Sequence, residues 1–416
     1  MKKNIYALLV GIDKYPLPVT PLQGCVNDVI AIKKYLRSHI KTQGWELHLK
    51  VLQNEQATRQ AIIDGFRQHL HQADNNDVVF FYYSGHGSQE PAPPEFWHLE
   101  PDKLNETLVC YDSRLPEGRD LADKELAFLI WEISQNNPHI TLILDCCHSG
   151  SGTKDPLQQN AVRQYKKDNR LRCADDFIFA PQQIYNLISS DKQPSGWNLS
   201  AAARHILLAS CQDKQTAKEY NANGQHRGAF CYFLTETLNK AKGNLTYTDL
   251  FKQTTALVRN QIKDQSPQLE AIETKDLHQL FLCGAIIQKH HYYTVSYDQK
   301  YGWVIDGGAV HNIPPVSDKQ TTQLALFPIE TQDLHKISNT ITQAQVTEVL
   351  PQLSKIKINS EQQLNRYQTY KAIVTNLPLP PKTVSFEGNP PFLKCPDFAT
   401  TLNNSVVYGT NNCICI

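Results

Sequence analysis

The sequence predicts an α/β protein with two parts. The main domain is a doubly wound, mainly parallel sheet flanked by helices, and a smaller, mainly β domain follows. Apolar runs that do not alternate recur through the first 285 residues, which is typical of strands buried on both faces. Stretches of helical periodicity separate these runs, as in βαβ units. Beyond about residue 285 the chain is rich in Thr, Val, Gln and Pro in short alternating stretches, which favours β structure.

The elements can be placed in order along the chain. Four runs predict buried strands, and a weaker one predicts a fifth: IYALLVGI (5–12), DVVFFYYS (77–84), ITLILD (140–145) and HILLAS (205–210), with ELHLKVLQ (46–53) as the weaker one. Apolar spacing predicts helices over residues 27–40, 57–73, 123–134, 228–241 and 246–262. A last strand is predicted at LHQLFLCG (277–284).

These elements predict a main domain over residues 1–285 and a C-terminal domain with an irregular tail over 286–416. Within the main domain, a long polar connection over 151–203 separates residues 1–150 from 204–285. A connection of this length inside a compact domain is usually functional or disordered.

The composition excludes several classes of protein. With 41 basic and 41 acidic residues the formal charge is zero, so we expect neither nucleic acid nor an acidic membrane surface as a partner. No run reaches the ~18 apolar residues of a membrane span, and no secretory signal is visible. The 11 cysteines are scattered and include no CxxC pair. We therefore expect a cytoplasmic protein with reduced thiols and no zinc site.

Reactive side chains follow two of the predicted strands. Cys146, Cys147 and His148 follow the strand at 140–145, and His86 follows the strand at 77–84. Parallel strands bring their carboxyl ends to one edge of a sheet, so His86 and Cys147 are expected within reach of each other. A thiol beside an imidazole is a nucleophile–base pair. Taken singly, such a Cys is more often a packing residue and such a His a turn residue.

Five motifs in this order resemble the caspase-like cysteine peptidases of clan CD (peptidase family C14), and the metacaspase and bacterial orthocaspase branch in particular. They are ALLVGIDKY (7–15), LQGCVNDV (22–29), FYYSGHGSQ (81–89), LDCCHSGSG (144–152) and LLASCQDKQTAKE (207–219), with GAF (228–230) opening the next helix. The resemblance covers roughly residues 1–285. It implies a caspase-hemoglobinase-type sheet and a cysteine endopeptidase.

The resemblance assigns roles to the reactive residues. The family pattern Asp-x-Cys-His-Ser-Gly places the nucleophile at Cys147 and a variable position at Cys146. His86, rather than His148, then corresponds to the base. The backbone N–H groups that stabilise the oxyanion carry over to Gly87 and Cys147.

Substrate choice is also implied by the resemblance. In metacaspases an acidic pocket binds Arg or Lys before the cut, and its lining carries over to Cys25, Asp28, Ser84 and Asp145. Cys25 and Asp28 follow a predicted strand, and Ser84 and Asp145 each end one, so all four lie at the same edge. Two carboxylates there suit a guanidinium. Asp28 could instead be a first-turn helix acid, and Asp145 a cap. We expect protein or peptide substrates with Arg or Lys at the cleavage position.

The connection at 151–203 resembles the linker between the large and small subunits of this family. Its stretch VRQYKKDNRLR (162–172) presents five basic residues to a site specific for basic side chains, so self-cleavage is expected within it. The candidate positions are Arg163, Lys166, Lys167, Arg170 and Arg172.

Many metacaspases need calcium, but the pattern is incomplete here. Asp112 and Asp123 match the family's calcium-binding region, whereas Lys124 stands where a second Asp is expected. Lys154 stands at a further acidic position, with Asp155 beside it. Ammonium groups remove ligands and repel a dication, so we expect no required cofactor and no metal site. In the alternative, Lys124 is a solvated helix residue and the alignment has slipped.

Two other functions stay open. The chain could be a catalytically silent caspase-like scaffold that binds partners. It could also be a related acyl hydrolase, or a separase-like peptidase with a partner-restricted substrate.

Overall fold

The structure is a computed structural model. The residues that it describes are 3–147, 161–185, 187, 195–199, 203–222, 224–241, 245–262, 264–282, 292–311, 313–316, 321–331, 334, 336–359, 364–376, 407–408 and 413–414.

The first 282 residues contain eleven strands and six α-helices among those described. The strands are β1 (Asn4–Gly11), β2 (Glu46–Gln53), β3 (Val78–Ser84), β4 (Gly87–Pro91), β5 (Leu104–Leu108), β6 (Leu121–Ala122), β7 (His139–Asp145), β8 (Ile206–Ala209), β9 (Glu219–Ala222), β10 (Gln225–Gly228) and β11 (Gln268–Ala271). The helices are α1 (Cys25–Gln43), α2 (Arg59–Asp64), α3 (Asp123–Ser134), α4 (Pro181–Tyr185), α5 (Ala229–Ala241) and α6 (Tyr247–Gln261).

The central sheet has the order β11-β8-β7-β3-β1-β2. Its first five strands along the chain are parallel, and only β11 runs antiparallel, beside β8. The predicted fold class is therefore confirmed. In register, Gly11 of β1 lies opposite Ser84 of β3, and Ser84 lies opposite Asp145 of β7. The carboxyl ends of three neighbouring strands thus meet at one edge.

Each face of the sheet is covered by its own apolar core. Along β1, Leu8 and Val10 belong to the core formed with α2 and α3, whereas Ala7 and Leu9 belong to the core formed with α1, α5 and α6. Successive side chains of a strand point to opposite faces, so a strand with both faces covered must be apolar throughout. Full burial of one such side chain contributes about 1.5–3 kcal/mol.

Two predicted elements differ from the structure. The helix predicted over 57–73 is α only in α2, and it continues as a π turn (Gly65–His69) and a 3-10 turn (Leu70–Gln72). The π turn packs closely against β1, since a Cβ on Gly65 would lie 2.6 Å from Leu8 Cδ2.

The strand predicted over 277–284 is wrong. The last strand of the sheet is β11, and Thr274–His278 form a 3-10 turn instead. The run is apolar for another reason: Phe281 and Leu282 are buried in the core that includes α6.

The C-terminal part contains a closed six-stranded antiparallel barrel. Its strands are β12 (Tyr293–Asp298), β13 (Gly302–Ile305), β14 (Gln323–Pro328), β15 (Thr342–Val349), β16 (Ser354–Ile358) and β17 (Tyr370–Asn376), and a short pair, β18 (Val407–Tyr408) with β19 (Cys413–Ile414), follows. The barrel contacts α6, where Asn260 Nδ2 donates to the Arg366 carbonyl at 3.0 Å. Among the described residues, no helix has the length and apolarity to cross a membrane.

Candidate active site

The predicted site residues meet at the carboxyl edge of the sheet. His86 follows β3 and Cys147 follows β7, and the pairing of these two strands brings both loops together. The loops touch closely enough that a Cβ on Gly87 would lie 2.3 Å from the Cys147 carbonyl oxygen. Glycine is therefore required at position 87 for close backbone approach.

The His86 ring is held by the loop after β1. Its Nε2 lies 2.8 Å from the Thr20 carbonyl oxygen, and its backbone N–H donates to the Tyr15 hydroxyl at 3.0 Å. A carbonyl can only accept, so Nε2 carries the proton and Nδ1 carries the free lone pair. Nδ1 is buried without a hydrogen-bond partner among the described residues. Thr20 orients the His86 ring, and no motif in the sequence pointed to it.

Burial, with a smaller contribution from the charges of Arg163 and Arg114, lowers the pKa of His86 to about 4, although the hydrogen bond to Thr20 opposes the shift. The imidazole is consequently neutral at pH 7. A neutral ring with a free Nδ1 can accept a proton from a thiol.

The linker runs through the cleft as an extended strand. Val162 forms an antiparallel bridge with Lys218, and the Arg163 N–H donates to the Ala217 carbonyl at 2.9 Å. The Glu219 N–H donates to the Ala161 carbonyl at 2.8 Å. This stretch of the linker is thus bound as an added β-strand, the way in which many peptides are recognised.

The Arg163 carbonyl oxygen accepts two backbone hydrogen bonds. The N–H groups of Gly87 and Cys147 each donate to it at 3.1 Å. These are the two groups that the sequence assigned to the oxyanion hole. The Cys147 thiol lies in the same cluster, 3.9 Å from the Ala217 carbonyl oxygen and packed against Val162.

After Arg163 the linker backbone hydrogen-bonds to β4 instead of to residues 217–219. Gln164 forms a parallel bridge with Gly87, and the Tyr165 N–H donates to the Gly87 carbonyl at 2.8 Å. The Asp168 N–H then donates to the Gln89 carbonyl at 2.8 Å. Backbone hydrogen bonds therefore hold the linker on both sides of the Arg163–Gln164 peptide bond.

The Arg163 side chain is completely buried in an acidic pocket. Its Nη2 lies 2.7 Å from Asp28 Oδ2, and its Nη1 lies 2.9 Å from Asp145 Oδ2 and 2.8 Å from Ser84 Oγ. Each terminal nitrogen thus meets one carboxylate, as the planar fork of a guanidinium allows. Burial raises the pKa of Asp145 to about 6, although the Arg163 charge opposes the rise.

The structure places the four predicted pocket residues around this guanidinium. Asp28, Ser84 and Asp145 contact it directly. Cys25 is buried beside them, and burial raises the pKa of its thiol while the charge of Arg163 lowers it. Asp28 also stands in the first turn of α1. The alternative interpretation of Asp28, an acidic residue in the first turn of a helix, is therefore compatible with its contact with Arg163.

Three further residues complete the pocket, and the sequence reasoning missed their roles. Glu219 Oε1 lies 3.6 Å from Arg163 Nη2. Arg227 pairs with the other oxygen of Asp28 and holds it in place. A Cβ on Gly228 would lie 2.3 Å from both Arg163 Nη1 and Asp145 Oδ2. Glu219 and Gly228 lie in the last two motifs noted in the sequence, LLASCQDKQTAKE and GAF.

The sequence pattern of the caspase domain matches residues 4–278, which is more than half of the chain. The chain belongs to the caspase-domain family. The resemblance noted in the sequence is confirmed.

Curated relatives of this caspase-domain chain include three fungal proteins named Metacaspase-1. Those of Schizosaccharomyces pombe, Lodderomyces elongisporus and Mycosarcoma maydis are 27%, 26% and 25% identical over 299, 302 and 302 residues. The matches cover 65%, 66% and 66% of this chain, and 68%, 66% and 72% of the respective relatives. The chain thus spans about two thirds of the length of these relatives.

The other self-cleavage candidates lie away from the pocket of this caspase domain. Lys166 and Lys167 are exposed. Arg170 pairs with Asp168, and the buried Arg172 pairs with Glu90 and Glu125. In this arrangement only Arg163 of the five is presented to the cleft.

The two adjacent cysteines face different surroundings. The Cys146 side chain lies in the apolar core between the sheet and α3, and burial raises the pKa of its thiol far above the usual range. The Cys147 side chain clusters with Val162, Cys211 and Ala217 at the cleft. His148 lies outside the described residues.

The region matched to a calcium site contains its own cation. Lys124 is completely buried, and its Nζ bonds the carboxylates of Glu100 and Asp123. The alternative reading of Lys124 as a solvated residue is therefore wrong. The ammonium bonds carboxylate oxygens that calcium would need as ligands, and its positive charge repels a dication, so these residues do not fit calcium here. Lys154 and Asp155 lie outside the described residues.

Two sets of donor atoms near the pocket are close enough to hold a metal, with all ligand atoms of each set within 4.8 Å of one another. They are Asp13, Cys25 and Glu219, and Asp28, Asp145 and Cys231. The guanidinium groups of Arg163 and Arg227 already pair with carboxylates of these sets. Three of the four carboxylates in these sets, those of Asp28, Asp145 and Glu219, therefore have a cation of the chain itself as a partner.

The pocket geometry yields a prediction about Gly228. In a Cys147→Ala background, Gly228→Ala should expel the Arg163 side chain, because the added methyl group would overlap both Nη1 and Asp145. Trypsin should then cut after Arg163 about thirtyfold faster or more, since an underpaired buried charge costs roughly 2–5 kcal/mol. Thermal unfolding of Cys147→Ala, with and without Gly228→Ala, checks that the domain is intact in both variants. Equal protection of Arg163 from trypsin in the two folded variants would contradict this geometry.

Proposed function

We propose that the protein is a cysteine endopeptidase that cleaves after arginine, and that its first target is its own Arg163–Gln164 bond. One observation carries the proposal. The Arg163 carbonyl accepts hydrogen bonds from Gly87 and Cys147, while the Arg163 side chain fills the acidic pocket. A substrate about to be cut would make both contacts at once.

In the proposed reaction, His86 Nδ1 takes the Cys147 thiol proton as the sulfur attacks the Arg163 carbonyl carbon. The N–H groups of Gly87 and Cys147 stabilise the oxyanion, and a donor of this kind contributes about 10²–10³ in rate. His86 then gives its proton to the Gln164 nitrogen, which leaves as an amine. Water, deprotonated by His86, hydrolyses the thioester and regenerates the thiol.

The pocket favours arginine over lysine as the residue before the cut. The two terminal nitrogens of Arg163 reach Asp28 and Asp145 separately, whereas a single ammonium cannot match a forked pair of acceptors in the same way. An aspartate side chain in this pocket would add a negative charge beside the carboxylates of Asp28, Asp145 and Glu219 and would be repelled by them. We therefore propose Arg first, Lys second, and no cleavage after Asp.

The same geometry implies that the uncut chain inhibits itself. Residues 161–168 occupy the groove that any other substrate would use, on both sides of the bond to be cut. Proteins or peptides with Arg or Lys can enter only after this segment has left. Self-cleavage after Arg163 is the step that permits its departure.

A catalytically silent scaffold is the second candidate function, and the same contact gives it some support. A segment held in the groove by buried ion pairs could also be a permanent plug. The two functions differ in whether the Arg163–Gln164 bond is broken. The neutral His86, with Nδ1 free to accept a proton, favours the peptidase.

The proposed nucleophile and cleavage position can be tested together. The wild type should yield two fragments, one that ends at Arg163 and one that begins at Gln164, and intact-mass measurement would identify them. Cys147→Ala, His86→Ala and Arg163→Ala should each leave that bond uncut. Cys146→Ala is the matched control, because its sulfur lies in the core, and it should still be cut.

An adduct of an active-site thiol reagent on Cys146 instead of Cys147 would contradict the assignment. Cleavage after Lys166, Lys167, Arg170 or Arg172 in place of Arg163 would contradict the proposed position. The silent scaffold is supported if the folded wild type stays whole at every pH at which it is stable.

We further propose that activity does not depend on calcium, because the Lys124 ammonium already bonds the carboxylates of Glu100 and Asp123 and would repel the ion. Self-cleavage should proceed unchanged in excess EGTA, and millimolar Ca²⁺ should leave the melting temperature unshifted. Binding to the folded state at 100 times Kd would add about 2.7 kcal/mol of stability. Activity that vanishes with EGTA and returns with Ca²⁺ would show that other ligands form the site.

A further inference from the structure

Tyr165 stands two residues beyond the proposed cut, and its side chain is held from three directions. Its hydroxyl donates to the Pro18 carbonyl at 2.9 Å. Its ring centroid lies 5.8 Å from that of His86, at an interplanar angle of 51°. The Arg114 guanidinium lies over the ring, 5.6 Å from its centroid.

The three contacts match the three features of a tyrosine side chain. The Pro18 carbonyl accepts from the hydroxyl, Arg114 faces the electron-rich ring, and His86 packs against it. A residue that served only as packing would need none of this polar matching. The neighbouring Lys166 and Lys167 are exposed, so Tyr165 is the side chain that this part of the groove selects.

Arg114 is held partly by residues that lie outside the linker. Its side chain is 9% exposed and pairs with Asp120 at 2.9 Å and with Asp168 at 2.6 Å. It also donates to Ser88 Oγ at 3.0 Å. Because Asp120 and Ser88 lie outside the linker, they would keep the guanidinium in place after the linker has moved. A pre-positioned cation binds an aromatic ring at a smaller entropic cost.

The Pro18 carbonyl belongs to the loop that also orients the catalytic base. Thr20 of that loop accepts from His86 Nε2, and Tyr15 accepts from the His86 backbone. A tyrosine bound at Pro18 therefore lies against the His86 ring and covers it from water. Occupation of this position and the placement of the base are physically connected.

We infer that Pro18, His86 and Arg114 form a substrate subsite on the leaving-group side of the cut, and that it selects tyrosine at the second residue after the cleaved arginine. The inference rests on the proposed function. It deepens it by naming the substrate class, which is peptides with Arg-X-Tyr.

Self-cleavage provides the first test. Chains made by cell-free synthesis would be followed over time for the cut after Arg163. Tyr165→Phe keeps the ring and loses one hydrogen bond, so the cut should slow by about fivefold. Tyr165→Leu also loses the cation–π contact and should slow it by about twentyfold or more. Tyr185→Phe is the matched control, because this exposed linker tyrosine also donates to a backbone carbonyl, that of Glu95, away from the cleft.

Peptides supply a second test that leaves the protein unaltered. Synthetic Ala-Val-Arg-Gln-Tyr-Ala, and its Phe and Leu versions at the fifth position, would be given to the self-cleaved wild type. We expect kcat/KM to fall in the order Tyr, Phe, Leu. Equal rates for all side chains, in the chain and in the peptides, would overturn the subsite and leave the arginine peptidase standing. Absence of any cut after arginine would overturn the proposed function and the subsite with it.

Discussion

The buried guanidinium of Arg163 is the interaction on which the arrangement of the cleft depends. A buried charge is costly unless it is paired, and Asp28, Ser84 and Asp145 pair with the two terminal nitrogens at 2.7–2.9 Å. Once the side chain is fixed, the register of the linker is fixed as well. The carbonyl of the same residue then falls between the two backbone N–H donors, and Tyr165 falls against His86.

The parallel sheet makes this pairing possible. Asp145 ends β7, Ser84 ends β3, and Asp28 follows β1 in the first turn of α1, so residues far apart in sequence converge at one edge. Elsewhere the protein neutralises buried carboxylates in the same way, with Lys124 between Glu100 and Asp123. Both clusters use a cation from the chain itself.

The sequence was sufficient for the five parallel strands of the sheet, for most helices and for the residues at the edge, because apolar runs and strand ends are local signals. It was insufficient where contact is made across the fold. Thr20 and Pro18 act through carbonyl oxygens, which every residue carries, so no side-chain pattern marks them. Glu219 and Gly228 matter through their distance from Arg163. The five candidate basic residues of the linker looked equivalent until contact with Asp28 and Asp145 distinguished Arg163. The strand expected at 277–284 was wrong because an apolar run can also fill a core without joining the sheet.

The central claim is that the chain presents its own Arg163 to its own active site, and the concentration dependence of self-cleavage tests it most directly. The rate of appearance of the fragment that begins at Gln164 would be measured by mass spectrometry over a wide range of protein concentrations. An intramolecular cut predicts a first-order rate constant that does not change on dilution. A rate constant that falls in proportion to concentration, or a fragment that begins at another residue, would contradict the account.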